Sequence, residues 1–175
     1  ESAGSIENGD HNFVRYSGRV QRVGESTQTD FFAGYQSKYL AWPELYAAPY
    51  GSNESDEVRT SLFMFNHSQS YGPDSSWEAT VYHRRHHDHY LFNRASLDNR
   101  SFVHQTEVSS AALNGVQAVG DVVKINYMVQ LTTDEIESTK LENNFTSRDY
   151  SKVSILPEFL LSESGEQSVS LRAGL

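Results

Sequence analysis

Hydrophobic and polar residues alternate along most of this chain. In the segment 122–132, every second residue is apolar: Val123, Ile125, Tyr127, Val129 and Leu131. Residues two apart on a β-strand lie on the same face of the sheet, whereas direct neighbours lie on opposite faces. The period of two therefore predicts a strand with one apolar face and one polar face.

The segment 77–91 begins with the same pattern and then changes character. Trp77, Ala79, Val81 and His83 fall on one face, but the residues after Val81 are almost all polar or cationic. This composition is typical of a strand that starts in an apolar layer and continues into water. The rest of the chain repeats this combination of alternation, aromatic residues and polar extensions.

The alternation predicts eight strands, at 13–23, 29–42, 58–69, 77–91, 103–113, 122–132, 150–161 and 168–174. The segments between them alternate in length along the chain. The predicted short turns are 24–27, 70–76, 115–121 and 162–167, and the predicted long polar loops are 43–56, 93–101 and 134–148.

We therefore predict an all-β fold, an antiparallel up-and-down meander of about eight strands within a single domain, 1–175. Short turns at one end and long loops at the other are typical of outer-membrane β-barrels. The alternative is a soluble antiparallel sandwich or barrel, whose loop lengths need not alternate.

Composition narrows the possible functions. Hydrophobic residues make up 37% of the chain, and no apolar run approaches the roughly 18 residues of a membrane-spanning helix. The formal net charge is −9, which argues against a nucleic-acid partner because such proteins need a basic surface. The chain contains no cysteine, which excludes disulfides and thiolate metal sites.

Several segments resemble the middle of the barrel domain of TonB-dependent outer-membrane receptors, of the cobalamin- and siderophore-receptor type. In that family, a strand rises into an extracellular loop with a pattern matched here by WEATVYHRRHHDHY at 77–90. A segment matched by HQTE at 104–107 leads back down, and one matched by DEIES at 134–138 marks another rising strand. The resemblance extends over 10–175.

This resemblance implies a bacterial outer-membrane location, contact with outer-membrane lipid, and uptake of a metal chelate or cobalamin. It also implies a TonB partner if the chain belongs to a full receptor. Family members form a barrel of 22 strands around an N-terminal plug, and no plug domain is present here. The chain is therefore expected to be a barrel segment or a small closed barrel of eight strands.

The candidate ligand-binding residues are aromatic and cationic residues in or beside the predicted long loops. They are Trp42, Tyr46, Tyr50, Arg84, Arg85, His87 and Arg94. Trp42 and the two tyrosines suit either a sugar-stacking platform or an aromatic belt at a membrane interface. The arginines and His87 suit attraction of an anionic ligand.

Other candidate chemistry is weaker. His87 and His89 share a strand face and could together bind a transition metal, which makes them weak candidates for a metal site. A solvated loop stem is the simpler interpretation of these histidines. We therefore predict no metal site and no cofactor. The chain has no nucleophile elbow and no phosphate-binding glycine motif, so we do not expect an enzyme.

Two functional alternatives stay open: a soluble β-sandwich module that binds carbohydrate, and an engineered eight-strand barrel without native transport.

Overall fold

The computed structural model describes residues 9–43, 53–94, 101–142, 146–164 and 167–172. These residues form a single sheet whose strands follow one another in chain order. The strands are β1 (His11–Val23), β2 (Thr27–Pro43), β3 (Asn53–Gly72), β4 (Ser75–Leu91), β5 (Ser101–Val119), β6 (Val123–Ser138), β7 (Ser147–Ser164) and β8 (Gln167–Arg172).

Each strand pairs antiparallel with its neighbours in the chain, which confirms the predicted up-and-down meander. Within the described residues, β1 and β8 do not pair with each other, so the sheet is open. This arrangement corresponds to a barrel-like segment and not to the small closed barrel.

The connections alternate as the sequence predicts. Gly24–Ser26, Pro73–Asp74 and Gly120–Val122 are tight turns at one end of the sheet, which we call the turn end. The opposite end, which we call the loop end, carries the strand ends that flank the predicted long loops: Pro43 and Asn53, Leu91 and Ser101, and Ser138 and Ser147. Gly120 has a φ of 70°, a left-handed conformation that glycine adopts without steric cost.

Several strands are longer than the sequence predicts, because polar segments occur at hydrated strand ends as well as in loops. β3 begins at Asn53, within the predicted loop 43–56, and β6 runs to Ser138, within the predicted loop 134–148. Side chains here have cross-strand partners that favour the extended ladder; Arg148 Nε, for example, donates to Asp134 Oδ1 at 2.8 Å.

The predicted turn 115–121 is also shorter in the structure, because β5 continues to Val119. Gly115 lies opposite Tyr127 in the β5–β6 ladder. A side chain at this position would meet the Tyr127 hydroxyl and the Ser76 carbonyl oxygen, both 2.5 Å from an ideal Cβ. The glycine is therefore required for close approach within a strand, and it does not mark a turn here.

The register gives the sheet two chemically different faces. The apolar face contains Val14, Phe31, Phe63, Val81, Leu113, Val129, Ile155 and the residues in register with them. The polar face contains Arg19, Gln36, Asn66, Arg84, Ser110, Gln130, Lys152 and the residues in register with those. The faces predicted for 13–23 and 122–132 are those observed.

The described residues contain almost no dry core. Ala41 is the one hydrophobic residue among them that is buried, whereas Val20 and Val153 are 71% and 66% exposed. A β-sandwich would require a second sheet packed on the Val123, Ile125 and Tyr127 face. The described residues form one sheet, so that packing is not observed.

Gly115→Ala tests the close approach of β5 to β6. We expect it to destabilise the folded chain by about 1–3 kcal/mol, because the new methyl group overpacks against Tyr127 and Ser76. The measurement is urea unfolding followed by circular dichroism. Gly18→Ala is the matched control, since Gly18 is also in a strand but has nothing within 4 Å of its added Cβ. Equal effects at both positions would contradict this explanation.

Candidate functional site

The apolar residues of the apolar face form a band that crosses the sheet diagonally. In β1 the band is centred midway between Val14 and Val20, at the level of Ser17 on the opposite face. The row of paired residues through Ser17 crosses β4 at Arg84 and β7 at Arg148. In β4 the centre of the band lies nearer the turn end, at Ala79. In β7 it lies nearer still, between Val153 and Phe159.

This displacement gives the inclination of the strands to the band. From β1 to β7 the band moves about eight residues, or about 27 Å, over six strand spacings that total about 29 Å. The strands are therefore inclined by about 40° to the perpendicular of the band. Strands in transmembrane β-barrels have the same tilt relative to the barrel axis. In β6 the apolar residues from Val123 to Leu131 extend for about 27 Å along the strand.

Aromatic side chains form part of the band. Tyr16 and Tyr35 stack with ring centroids 5.2 Å apart near its centre in β1 and β2. Trp77 lies on the same face at the turn end of β4. Trp42 does not belong to this set, because its register with Glu54 places it on the polar face, where it is 42% exposed. The interpretation of Trp42 as part of an interface belt is therefore corrected, and Tyr46 and Tyr50 lie outside the described residues.

Ion pairs and amide contacts organise the polar face. Arg19 Nε donates to Asp30 Oδ1 at 2.8 Å, and Gln28 Nε2 donates to Asp30 Oδ2 at 2.6 Å. Near the turn end, Lys124 Nζ lies 2.8 Å from Asp74 Oδ1. Charged and amide groups on this face thus have partners within and across the strands.

A pocket at the loop end opens on the polar face. It has a volume of about 450 Å³, and Arg84, Thr106, Asp134 and Arg148 contribute to its lining. Arg148 is held by Asp134 through Nε and Nη2. Arg84 is exposed and lies across Val108 from that pair, in the same row. Two guanidinium groups and two carboxylates, those of Asp134 and Glu135, therefore line the pocket, an arrangement suited to a ligand that carries an anionic group beside a cationic one.

The structure separates the remaining candidate residues. Arg85 and His87 lie on the apolar face, beyond the loop-end side of the band, whereas Arg84 lies on the polar face. His89 shares the face of His87, as predicted. Across the described ranges, no group of three histidine, cysteine, aspartate or glutamate residues is arranged to hold a metal ion.

Arg94 connects three parts of the loop end. Its Nη1 donates to Asp10 Oδ2 at 2.8 Å and to the Tyr39 hydroxyl at 3.0 Å, and its backbone N–H donates to the Asn53 carbonyl oxygen at 2.8 Å. These contacts join the starts of β1 and β3 to β2. Arg94 therefore connects these strand ends, and its role in ligand binding stays a prediction.

Sequence reasoning missed Arg148 and Thr106 as pocket residues. Arg148 was assigned to a loop, and its place opposite Asp134 became evident only with the β6–β7 register. The alternation of side chains along a strand could have identified Arg148. Once β7 is extended to Ser147, Arg148 falls on the same face as Lys152. Thr106 carried no such signal, since a lone threonine in a strand is common.

No protein-family model matches the chain, and no curated protein or solved structure matches it either. In the described part of the chain, no helix has the length and apolar character needed to cross a membrane.

The Asp10–Arg94 contact predicts a pH-dependent contribution to stability. The hydrogen bond from Arg94 lowers the pKa of Asp10, so the folded state favours the ionised carboxylate. This stability is present above the ordinary aspartate pKa of about 3.9 and is lost as pH falls through the lower folded value. We expect Asp10→Asn to reduce the melting temperature at pH 7 but not at pH 2.

The control is Asp121→Asn, which removes an exposed carboxylate in the turn between β5 and β6. Melting is followed by circular dichroism at both pH values. A loss of stability in Asp10→Asn that is the same at pH 7 and pH 2 would refute the role of the charge.

Proposed function

We propose that this chain is part of the β-barrel of an outer-membrane receptor of the TonB-dependent type. In this proposal, the apolar face contacts lipid and the polar face lines the barrel interior. The loop end faces the exterior and receives a metal chelate or cobalamin. The TonB system is a partner only as part of a full receptor.

The inclined apolar band is the observation that carries the proposal. A membrane barrel needs an apolar surface of nearly constant height around its axis, while its strands tilt by about 35–45°. The apolar residues must then shift along each successive strand, as they do from Val14–Val20 in β1 to Val153–Phe159 in β7. The exposure of these side chains is costly in water and favourable in hydrocarbon.

The polar face supports the second part of the proposal. A barrel interior that carries solute is hydrophilic, and its charged groups are paired or hydrated. Arg19 with Asp30 and Arg148 with Asp134 fit this description. The pocket beside Arg84 lies at the loop end of the same face, so a ligand entering from the loops would reach it first.

The open sheet edges support a segment rather than a complete barrel. Unpaired backbone groups within hydrocarbon cost several kcal/mol each, so membrane sheets close on themselves. The outer edges of β1 and β8 have no strand partner among the described residues. Additional strands at these two edges would satisfy them, as in the larger barrels that the sequence resembles.

The alternative of a soluble carbohydrate-binding sandwich has less support. It requires a packed second sheet, and the described residues form one sheet with Ala41 as its buried hydrophobic residue. A redesigned eight-strand barrel would require pairing of β1 with β8, which the described sheet lacks. The sandwich does not account for the inclination of the apolar band, whereas an eight-strand barrel would tilt its strands in the same way.

Single-cysteine labelling tests the proposed orientation, because the chain has no native cysteine. Val129→Cys lies on the apolar face and Gln130→Cys on the polar face of the same strand. In phospholipid vesicles, we expect a charged maleimide to label Gln130→Cys more than about tenfold faster, since a charge entering the bilayer costs about 2–4 kcal/mol.

The same two variants in detergent-free buffer provide the comparison. If the unlabelled chain is a monodisperse β protein in buffer and both cysteines react at similar rates in vesicles, the membrane proposal is wrong and a soluble module takes its place. If Val129→Cys is protected only in lipid or detergent, the proposal stands.

Ligand binding tests the role of the polar-face pocket. We expect Arg84→Gln to weaken binding of an anionic ferric chelate at least tenfold, because a charge-assisted hydrogen bond contributes about 1.5–3 kcal/mol. The measurement is quenching of tryptophan fluorescence during titration with the chelate. Arg22→Gln, an equal change of charge near the turn end, is the control. Equal affinities of the two variants would exclude Arg84 from the binding site.

A further inference from the structure

A second pocket opens on the opposite face of the sheet from the Arg84 pocket. It has a volume of about 410 Å³, and its lining includes Tyr35, Arg59, Ser61, Arg85, His87 and Gln105. Tyr35, Ser61 and Arg85 lie in one row of paired residues, and Arg59, His87 and Gln105 lie in the next row toward the loop end. Four neighbouring strands, β2 to β5, thus contribute to it.

Each of the two arginines that line this pocket has a glutamate partner outside it. Arg59 Nε donates to Glu57 Oε1 at 2.8 Å, and Arg85 Nε lies 3.1 Å from Glu107 Oε1. Neither glutamate lines the pocket, and its described lining includes no acidic residue. Arg59 Nη2 also contacts Glu57 Oε1, and Arg85 Nη2 donates to Gln105 Oε1 at 2.8 Å. Each glutamate therefore orients an arginine, and Nη1 of each guanidinium lies outside these contacts.

The pocket adjoins the apolar band directly. Along β3, Arg59 and Ser61 are followed on the same face by Phe63 and Phe65, and along β4, Arg85 is separated by His83 from Val81. Each of these same-face steps is about 6.7 Å long. Phe63, Phe65 and Val81 are between 41% and 53% exposed. A cationic, hydrogen-bonding pocket is thus continuous with an exposed apolar surface.

We propose that this pocket binds the phosphate headgroup of an anionic membrane lipid whose acyl chains lie along the band. The Nη1 and remaining Nη2 hydrogens of Arg59 and Arg85 match phosphate oxygens. Tyr35 and Ser61 add neutral donors. The apolar side chains below them match the acyl chains. The inference rests on the proposed membrane location and assigns the lipid-facing surface a specific ligand.

The test uses the full chain in phosphatidylcholine vesicles that contain a minor fraction of phosphatidic acid. After extraction into mild detergent, native mass spectrometry measures the phosphatidic acid retained on the folded chain. We expect the wild-type chain to retain phosphatidic acid. Arg59→Gln and Arg85→Gln should each lower the affinity for phosphatidic acid about fivefold, because one cation near an anionic surface contributes about 1 kcal/mol.

The matched control is Arg15→Gln combined with Lys152→Gln, which removes two positive charges from the polar face. It should retain the lipid as the wild-type chain does. The double variant Arg59→Lys with Arg85→Lys keeps both positive charges but loses the bidentate donors of the guanidinium groups. Circular dichroism is used to check that every variant is folded. Binding that the lysine variant retains in full would overturn the bidentate contact.

The outcomes separate this inference from the proposed function. If Val129→Cys is protected in vesicles but the glutamine variants retain phosphatidic acid like the wild type, the lipid site is wrong and the membrane location stands. If Val129→Cys is labelled freely in vesicles, both proposals fail. Displacement of the lipid by an equal concentration of inorganic phosphate would show a site for free phosphate and would overturn the lipid assignment.

Discussion

The hydrogen-bonded register between neighbouring strands is the constraint on which the rest of this structure depends. Because each strand pairs with the next in the chain, the position of one residue determines the face of every residue across the sheet. A shift of one residue in β4 would exchange Arg84 with Arg85 and would move Val81 from the apolar to the polar face. The continuous ladders from β1 to β7 therefore keep two different surfaces separate.

The same register explains why the sheet depends on its surroundings. Ladder hydrogen bonds satisfy the backbone, but a single sheet buries little apolar area. The ion pairs are largely exposed, and such pairs contribute about 0–1 kcal/mol each. What covers the apolar face therefore dominates the stability of the fold. In the proposed receptor barrel, lipid on that face, water on the other and further strands at the edges would together satisfy the side chains and backbone groups of the described sheet.

The loop end combines a rigid base with two different pockets. Arg94 joins Asp10, Tyr39 and Asn53, which holds the ends of β1, β2 and β3 together. On one face, Arg84 and Arg148 surround a pocket at the entrance to the proposed interior. On the other face, Arg59 and Arg85 surround a pocket beside the apolar band. Arg84 and Arg85, two adjacent residues of the HRRHH segment, thus line pockets on opposite faces of the sheet.

The sequence alone determined the fold class, the alternation of turns and loops, and the faces of the most regular strands, because period-two alternation and turn residues are local signals. It did not determine the strand ends, since polar residues such as Asp134 and Arg148 occur equally in loops and in hydrated parts of strands. The role of Arg94, the face of Trp42 and the pairing of Arg148 depended on partners distant in the chain, from 12 to 84 residues away. Only the register between strands decided these contacts, because it brings together residues that no local pattern relates.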